Sequence, residues 1–237
     1  MRTSDKNALI TGASRGIGRQ LAVSLAELGY NPILVGRNSD DLRLVADDIH
    51  SSTGRQTSIY VVDITDESKI RRMVNDLEEK LLNIHILVNN AGIHRKGTLE
   101  LQENEFLELL EVNLKAHFLM TRAIVPLMLR NGNGYIFNIA SRSAKVGFAD
   151  TGGYCASKWG LLGLSESLYH KLTPQGIKVT ALCPAWVDTD MARRADSPLH
   201  PDEMIEPADL SKTIEWLLSL SSGACVKEIV ITNPKSL

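Results

Sequence analysis

Short apolar runs alternate with longer amphipathic stretches along the whole chain. The runs at 8–11, 32–35, 58–62, 86–89, 135–139, 178–182 and 228–231 are rich in Ile, Val and Leu. They lack strict apolar/polar alternation, which is the pattern of strands buried on both faces. Helical spacing predicts helices over 17–28, 40–50, 66–80, 103–130, 154–172 and 208–220. Gly29 follows the first of these as a left-handed cap. Asp66 and Glu67 put negative charge at a helix start, and Pro207 marks another. Repeated strand–helix–strand crossovers imply a parallel sheet covered by helices on both sides. With no linker, repeat or charge block, one doubly wound α/β domain is expected over 1–237. Segment 185–206 breaks the pattern. It has no clear period and carries Pro198 and Pro201, so it is expected to be an irregular loop serving as a mobile lid.

Composition narrows the function classes. A 43% hydrophobic content suits a sizeable core, and a net charge of −2 offers nothing to nucleic acid or an anionic membrane. Cys155, Cys183 and Cys225 form no C-x-x-C pair, which favours a reducing compartment over a disulfide framework. The polar start at 1–7 lacks a signal-peptide core, and no apolar run is long enough to span a bilayer. A cytoplasmic protein is expected. The six histidines show no ligand spacing, so no metal is expected.

Chemistry concentrates where strands end. The first strand leads into Thr11-Gly12-Ala13-Ser14-Arg15-Gly16-Ile17-Gly18 and then a helix. Glycines let the backbone approach a pyrophosphate, and the helix start offers free N–H groups. The end of the second strand selects the nucleotide. A carboxylate there accepts from the ribose of NAD, whereas this chain has Gly36 and Arg37, with Arg15 in the glycine loop. Two guanidinium groups suit the extra phosphate of NADP(H). Asp63 closes the third strand and Asn89-Asn90-Ala91-Gly92 the fourth, where ligands of open α/β sheets bind. Each also has a plain reading as a turn or loop residue.

Tyr154 and Lys158 lie four apart on one helical face. A free tyrosine has a pKa of about 10, and an adjacent ammonium is expected to lower it. Such a pair can move a proton at a carbonyl or alcohol oxygen. Ser141, after the fifth strand, can reach the same oxygen.

Together, Thr11–Gly18, Asn89–Gly92, Asn113, Ser141 and Tyr154-Cys155-Ala156-Ser157-Lys158 resemble the classical short-chain dehydrogenases/reductases over essentially the full length. The resemblance implies a Rossmann-like, seven-stranded, mostly parallel sheet. It implies Tyr154 as catalytic acid/base, Lys158 as the residue that lowers the tyrosine pKa and binds the nicotinamide ribose, and Ser141 as the orienter of the substrate oxygen. Asn113 is implied to hold a water in a proton relay. Implied cofactor contacts are Gly12, Ser14, Arg15, Gly16, Ile17, Gly18, Arg37, Asp63, Asn90, Val187 and Thr189, besides Tyr154 and Lys158. The implied activity is NADP(H)-dependent interconversion of a small carbonyl compound and a secondary alcohol, in a homodimer or homotetramer. The apolar stripe Trp159, Leu161, Leu162, Leu164 and Leu168 fits either core packing or a partner chain.

Two departures stand out. Pro184-Ala185 replaces the frequent Pro-Gly, and the 229–237 tail lacks a Gly-Gly end. Two alternatives accompany the leading reading. One is a 3-oxoacyl-(acyl carrier protein) reductase, ranked second because Arg130-Asn131-Gly132-Asn133 and Thr173-Pro174-Gln175 are poor in positive charge for docking an acidic carrier. The other is a non-catalytic NADP(H)-binding sensor, disfavoured by the intact Asn113, Ser141, Tyr154 and Lys158 set. Within 185–206, Met191, Leu199 and Met204 are expected to cover an apolar substrate while Arg193, Arg194 and Asp196 face water.

Overall fold

The computed structural model describes residues 6–235. The polar start up to residue 5 and the end of the tail, 236–237, lie outside that range. Seven strands form one sheet in the order β3-β2-β1-β4-β5-β6-β7. They are β1 (Asn7–Thr11), β2 (Asn31–Gly36), β3 (Ser58–Val61), β4 (Ile84–Asn89), β5 (Gly134–Ile139), β6 (Ile177–Pro184) and β7 (Glu228–Ile231). Every neighbouring pair is parallel, so the expected parallel character extends to the whole sheet. The helices are α1 (Gly16–Glu27), α2 (Ser39–Thr53), α3 (Glu67–Glu79), α4 (Glu103–Leu110), α5 (Ala116–Arg130), α6 (Gly152–Leu172), α7 (Asp190–Arg194) and α8 (Pro207–Ser219).

The missing in/out alternation has a direct cause. Leu9, Ile33, Val35, Leu87, Ile136 and Val179 pack on one face with Ile70 and Met73 of α3 and Leu119 and Ile124 of α5. Ala8, Ile10, Leu34, Val88, Phe137 and Leu182 pack on the other with Leu21 and Leu25 of α1, Leu42 and Val45 of α2 and Ile214 of α8. Successive strand residues point to opposite faces, and both faces are covered. Each fully buried Leu or Ile contributes about 2 kcal/mol of transfer free energy.

Local signals mark the helix ends. The Asn38 side chain accepts from Asp40 N and Asp41 N at the start of α2, and Asp66 does the same for Ser68 N and Lys69 N at α3. Pro207 occupies the first turn of α8. The long 103–130 helix is not continuous. A π-helical turn, Glu111–Lys115, separates α4 from α5 and carries Asn113. Such turns widen the helix locally and recur at functional sites.

Segment 185–206 is more ordered than its composition predicts. It holds α7 and a 3₁₀ turn at Pro201–Glu203, and its two ends are tied together. Asp188 N donates to Ile205 O and Ile205 N to Trp186 O. Asn233 then accepts from Trp186 N at 3.0 Å and donates to Trp186 O and Glu203 O. A side chain from the tail, distant in sequence, closes the base of the segment. Ala185 causes no detour, because it avoids positive φ and donates its N–H to Ile231 O. Among the described residues, no helix is long and apolar enough to cross a membrane.

Candidate active site

The carboxyl ends of the strands open into a cavity of about 1380 Å³. Its lining runs from Gly12, Arg15 and Arg37 at one end to Ser141, Tyr154 and Lys158 at the other. Every sequence-predicted site residue except Gly18 and Asn113 lines it, and those two lie directly behind its wall.

At the first end, β1 closes on the glycine loop. Gly12 has φ +64, and a Cβ there would stand 2.9 Å from Ala91 Cα. A Cβ on Gly18 would meet Gly12 O at 2.2 Å, so the loop folds tightly only with glycine at both places. Arg15 precedes α1 and supplies no side-chain cap, which leaves the N–H groups of the first turn facing the cavity. This is an anion cradle, and it fits the pyrophosphate of a nicotinamide dinucleotide. Asn90 braces it from β4 by donating to Thr11 O at 2.9 Å and Gly12 O at 3.2 Å. The Thr11 hydroxyl in turn accepts from Asn90 N and Ala91 N.

Arg15 and Arg37 are exposed on the cavity rim, and among the described residues neither is in a salt bridge. Asp63 lies close to Arg37. Burial pushes its carboxyl up, but hydrogen bonds from Thr65 and the charges of Arg37 and Lys69 outweigh that and hold it below its usual value.

At the other end, α6 presents Tyr154 and Lys158. Ser141 caps a short 3₁₀ turn through Ser143 N and hydrogen-bonds the Tyr154 phenol. Lys158 Nζ lies 5.8 Å from the tyrosine ring centre and donates to Ile139 O at 2.9 Å. The electrostatics differ from the sequence expectation. Burial raises Tyr154 to about 12, opposed only by the Ser141 hydrogen bond, and burial lowers Lys158 to about 8. The ammonium is engaged by a carbonyl in this arrangement, and burial sets the direction of the phenol's shift.

Asn113 is fully buried. Its amide accepts from Ile93 N at 2.8 Å and donates to Ile93 O and Ser157 Oγ. A Cβ on Gly92 would lie 3.2 Å from Asn113 Oδ1 and 3.8 Å from Lys158 Nζ, which puts the amide beside the lysine.

Val187 and Thr189 stand at the root of segment 185–206, and Thr189 caps α7. Met191 lines the cavity as expected. Met204 is instead buried in the tied base, and Pro198 takes the lining place expected of Leu199. Arg193 faces water as expected and also pairs with Asp188 and Asp190.

Several lining residues escaped the sequence reading: His94, Arg95, Lys96, Arg142, Phe148 and Trp186. His94 packs edge-on against Tyr154, with ring centres 4.9 Å apart. It follows Gly92 so closely that position alone could have flagged it.

A family model described as short chain dehydrogenase matches residues 6–199. The chain belongs to that family. It is an oxidoreductase built on a nicotinamide-binding fold. A 3-oxoacyl-(acyl-carrier-protein) reductase of Rickettsia bellii is 35% identical over 235 residues, covering 93% of this chain and 92% of the relative. The solved beta-ketoacyl-(ACP) reductase of Bacteroides thetaiotaomicron is 40% identical, with TM-score 0.87 over 98% of this short-chain dehydrogenase and 99% of that chain. The alcohol dehydrogenase of Thermococcus sibiricus, solved with 5-hydroxy-NADP, is 28% identical with TM-score 0.90, covering 98% of each chain.

Proposed function

We propose that this chain is an NADP(H)-dependent reductase whose substrate is a 3-oxoacyl compound, with Tyr154 donating the proton that completes the alcohol. The observation that carries this reading is the Ser141–Tyr154 hydrogen bond on the wall of a cavity that begins at the glycine loop. The cofactor, when bound, supplies the hydride to the carbonyl carbon. The chain's own residues do the rest. The first turn of α1 and the glycine loop hold the pyrophosphate, and Arg15 and Arg37 hold the adenosine-ribose phosphate that distinguishes NADP(H). Asp63, Asn90, Val187 and Thr189 fix the flanks of that site.

Ser141 and Tyr154 share the reacting oxygen. With its phenol held near 12, Tyr154 is fully protonated at neutral pH, the state needed to donate to a developing alkoxide. Lys158 at about 8 still carries its proton there and stabilises the tyrosinate left behind. Asn113 seats Ile93 and keeps the floor beside Lys158 in place.

The substrate class rests on the relatives and on charge at the substrate end. Lys96 and Arg194 line the cavity, and among the described residues neither is in a salt bridge. They supply positive charge where the loops after α5 and α6 do not. An acyl chain carried by an acidic protein or a phosphorylated carrier arm suits that rim better than a plain ketone does. A substrate panel with NADPH tests the reading. A 3-oxoacyl thioester should be turned over with the highest kcat/KM, and turnover of simple ketones alone would return the reading to a general carbonyl reductase. Absence of turnover with every carbonyl would favour the sensor.

The working form is a homodimer or homotetramer. Leu161 of the α6 stripe is core, and Leu162 and Leu168 pack against core clusters. Trp159 is 50% exposed, and Phe106, Leu107 and Phe118 of α4 and α5 are also exposed. Such a patch favours a symmetric partner. Sedimentation giving a monomer at working concentration would refute this.

A further inference from the structure

Three side chains spaced four apart, Asn113, His117 and Thr121, face the last residue of β4 and the segment that follows it. Asn113 holds both main-chain groups of Ile93. His117 Nε2 meets Ala91 O at 2.6 Å. Thr121 Oγ1 accepts from Asn89 Nδ2 at 2.9 Å. Four helical residues advance about 6 Å and two extended residues about 6.6 Å, so the rungs stay in step. The side chain of Asn89 and the main-chain groups of Ala91 and Ile93 therefore turn to the helix, although Ala91 and Ile93 also line the cavity. Asn90 reaches the glycine loop, and Gly92 lies against Asn113 and Lys158.

The middle rung is unusual. The outer rungs use an amide and a hydroxyl, whereas His117 is a fully buried imidazole. Ala91 O can only accept, so Nε2 carries the proton. Nδ1 is buried with no hydrogen-bond partner among the described residues. A second proton on Nδ1 would have nothing to donate to and would face the nearby Lys158 charge. Burial and that charge push the ring down to about 3. The ring therefore stays neutral, as one tautomer, across the working pH range.

We propose that His117 is a positioning residue for the cofactor. As the Nε2–H tautomer it holds Ala91 against Gly12 and so sets the separation between the glycine loop and Lys158. Ala91 is the contact that makes this work, because its Cα and N lie within 2.9 and 3.2 Å of the Cβ position of Gly12. Moving Ala91 moves the wall of the pyrophosphate cradle and the floor under the lysine together.

The inference rests on the NADP(H) reading above, and the test separates the two. NADPH affinity of the full chain is measured by fluorescence titration for wild type, His117→Leu and His117→Gln. Gln keeps an amide donor at the Nε2 position, and Leu removes it. Loss of a buried hydrogen bond predicts an NADPH Kd raised about tenfold in the Leu variant and restored to within about twofold by Gln. Wild-type affinity in a folded Leu variant, or no restoration by Gln, overturns the proposal. Wild type binding neither NADPH nor NADH overturns this proposal and the cofactor reading together. If the Leu variant does not fold, imidazole ¹⁵N shifts of wild type decide, with the His117 signal assigned by its loss in the Gln variant. A fixed Nε2–H tautomer between about pH 6 and 8 supports the proposal, and a titrating or Nδ1–H ring overturns it.

Discussion

At the cofactor end of the cavity, two short side chains and the glycines fix the main chain in place. Thr11 Oγ1 collects two N–H groups, Asn90 ties down two carbonyls, and glycine at 12 and 18 permits contacts that no other residue allows. At the substrate end, position comes from side chains on separate loops. His94 to Lys96 follow β4, Arg142 follows β5, Phe148 precedes α6, and Trp186 to Arg194 follow β6. The first end depends on a few residue types at fixed spacing, Thr11, Asn90 and the glycines, all tied to main chain. The second is set by what each loop happens to carry. One cradle can thus serve many chemistries while the loops choose among substrates. If that division is real, variants at one end should leave the kinetic parameters of the other end alone.

The largest effect is expected at the junction of the two ends. Tyr154→Phe removes only a hydroxyl, so NADPH affinity should stay within about twofold while kcat falls about a thousandfold or more. Single-turnover kinetics with a bound-cofactor control check it. Near-normal turnover would sink the proton role and leave Ser141 to be explained otherwise.

Next comes Arg37→Asp, at the cofactor end alone. Charge-assisted bonds are lost and a carboxylate faces the ribose phosphate, so the NADPH-over-NADH preference should fall about a hundredfold. The KM of the carbonyl substrate should not move. A wild-type preference for NADH would end this reading at once.

How far the chain itself announced these regions follows from the same division. The strands were legible because both faces are buried, and apolar runs need no partner to be recognised. The glycine loop was legible because its geometry depends on residue type at fixed spacing. The break at Glu111–Lys115 was hidden, since a π turn keeps the apolar pattern of a continuous helix. The ordering of 185–206 was hidden too, because Asn233, which closes its base, comes from a strand end far along the chain. The burial that raises Tyr154 is hidden for a similar reason. Spacing put Lys158 on the right face, but only the fold shows its ammonium turned to Ile139 O.

The pH dependence tests that last point. Lys158 is lowered by burial, so its charge is complete below about 8 and is lost as pH rises through that value. Tyr154, raised to about 12, stays protonated throughout. Carbonyl reduction should therefore hold steady from neutral pH to about 8 and then decline, approaching about tenfold per pH unit. A kcat/KM profile in the reductive direction reads this. A profile flat to pH 10 would show that the lysine charge is not needed.

The smallest effect belongs to the rim. Arg194 is exposed at the cavity mouth, and a single exposed charge contributes about 0.2–1 kcal/mol. Arg194→Ser should raise the KM for a carrier-bound 3-oxoacyl substrate only about threefold, with kcat and NADPH affinity unchanged. Its neighbour Arg193 is a fair control. It is already occupied by Asp188 and Asp190, so Arg193→Ser removes an internal brace of α7 and not a free charge. Raising ionic strength should erase the difference between wild type and Arg194→Ser, because screening removes what the substitution removed. It should shrink the Arg193→Ser effect too, since those ion pairs are also partly exposed, so the charge of the substrate is what separates the two. The same pair assayed on a small uncharged β-ketoester should show no Arg194 effect at any salt. An Arg194 effect of equal size on the uncharged ester would mean that the residue shapes the pocket. The charge argument for an acidic carrier would then have to be given up, and the cofactor end would be left as it stands.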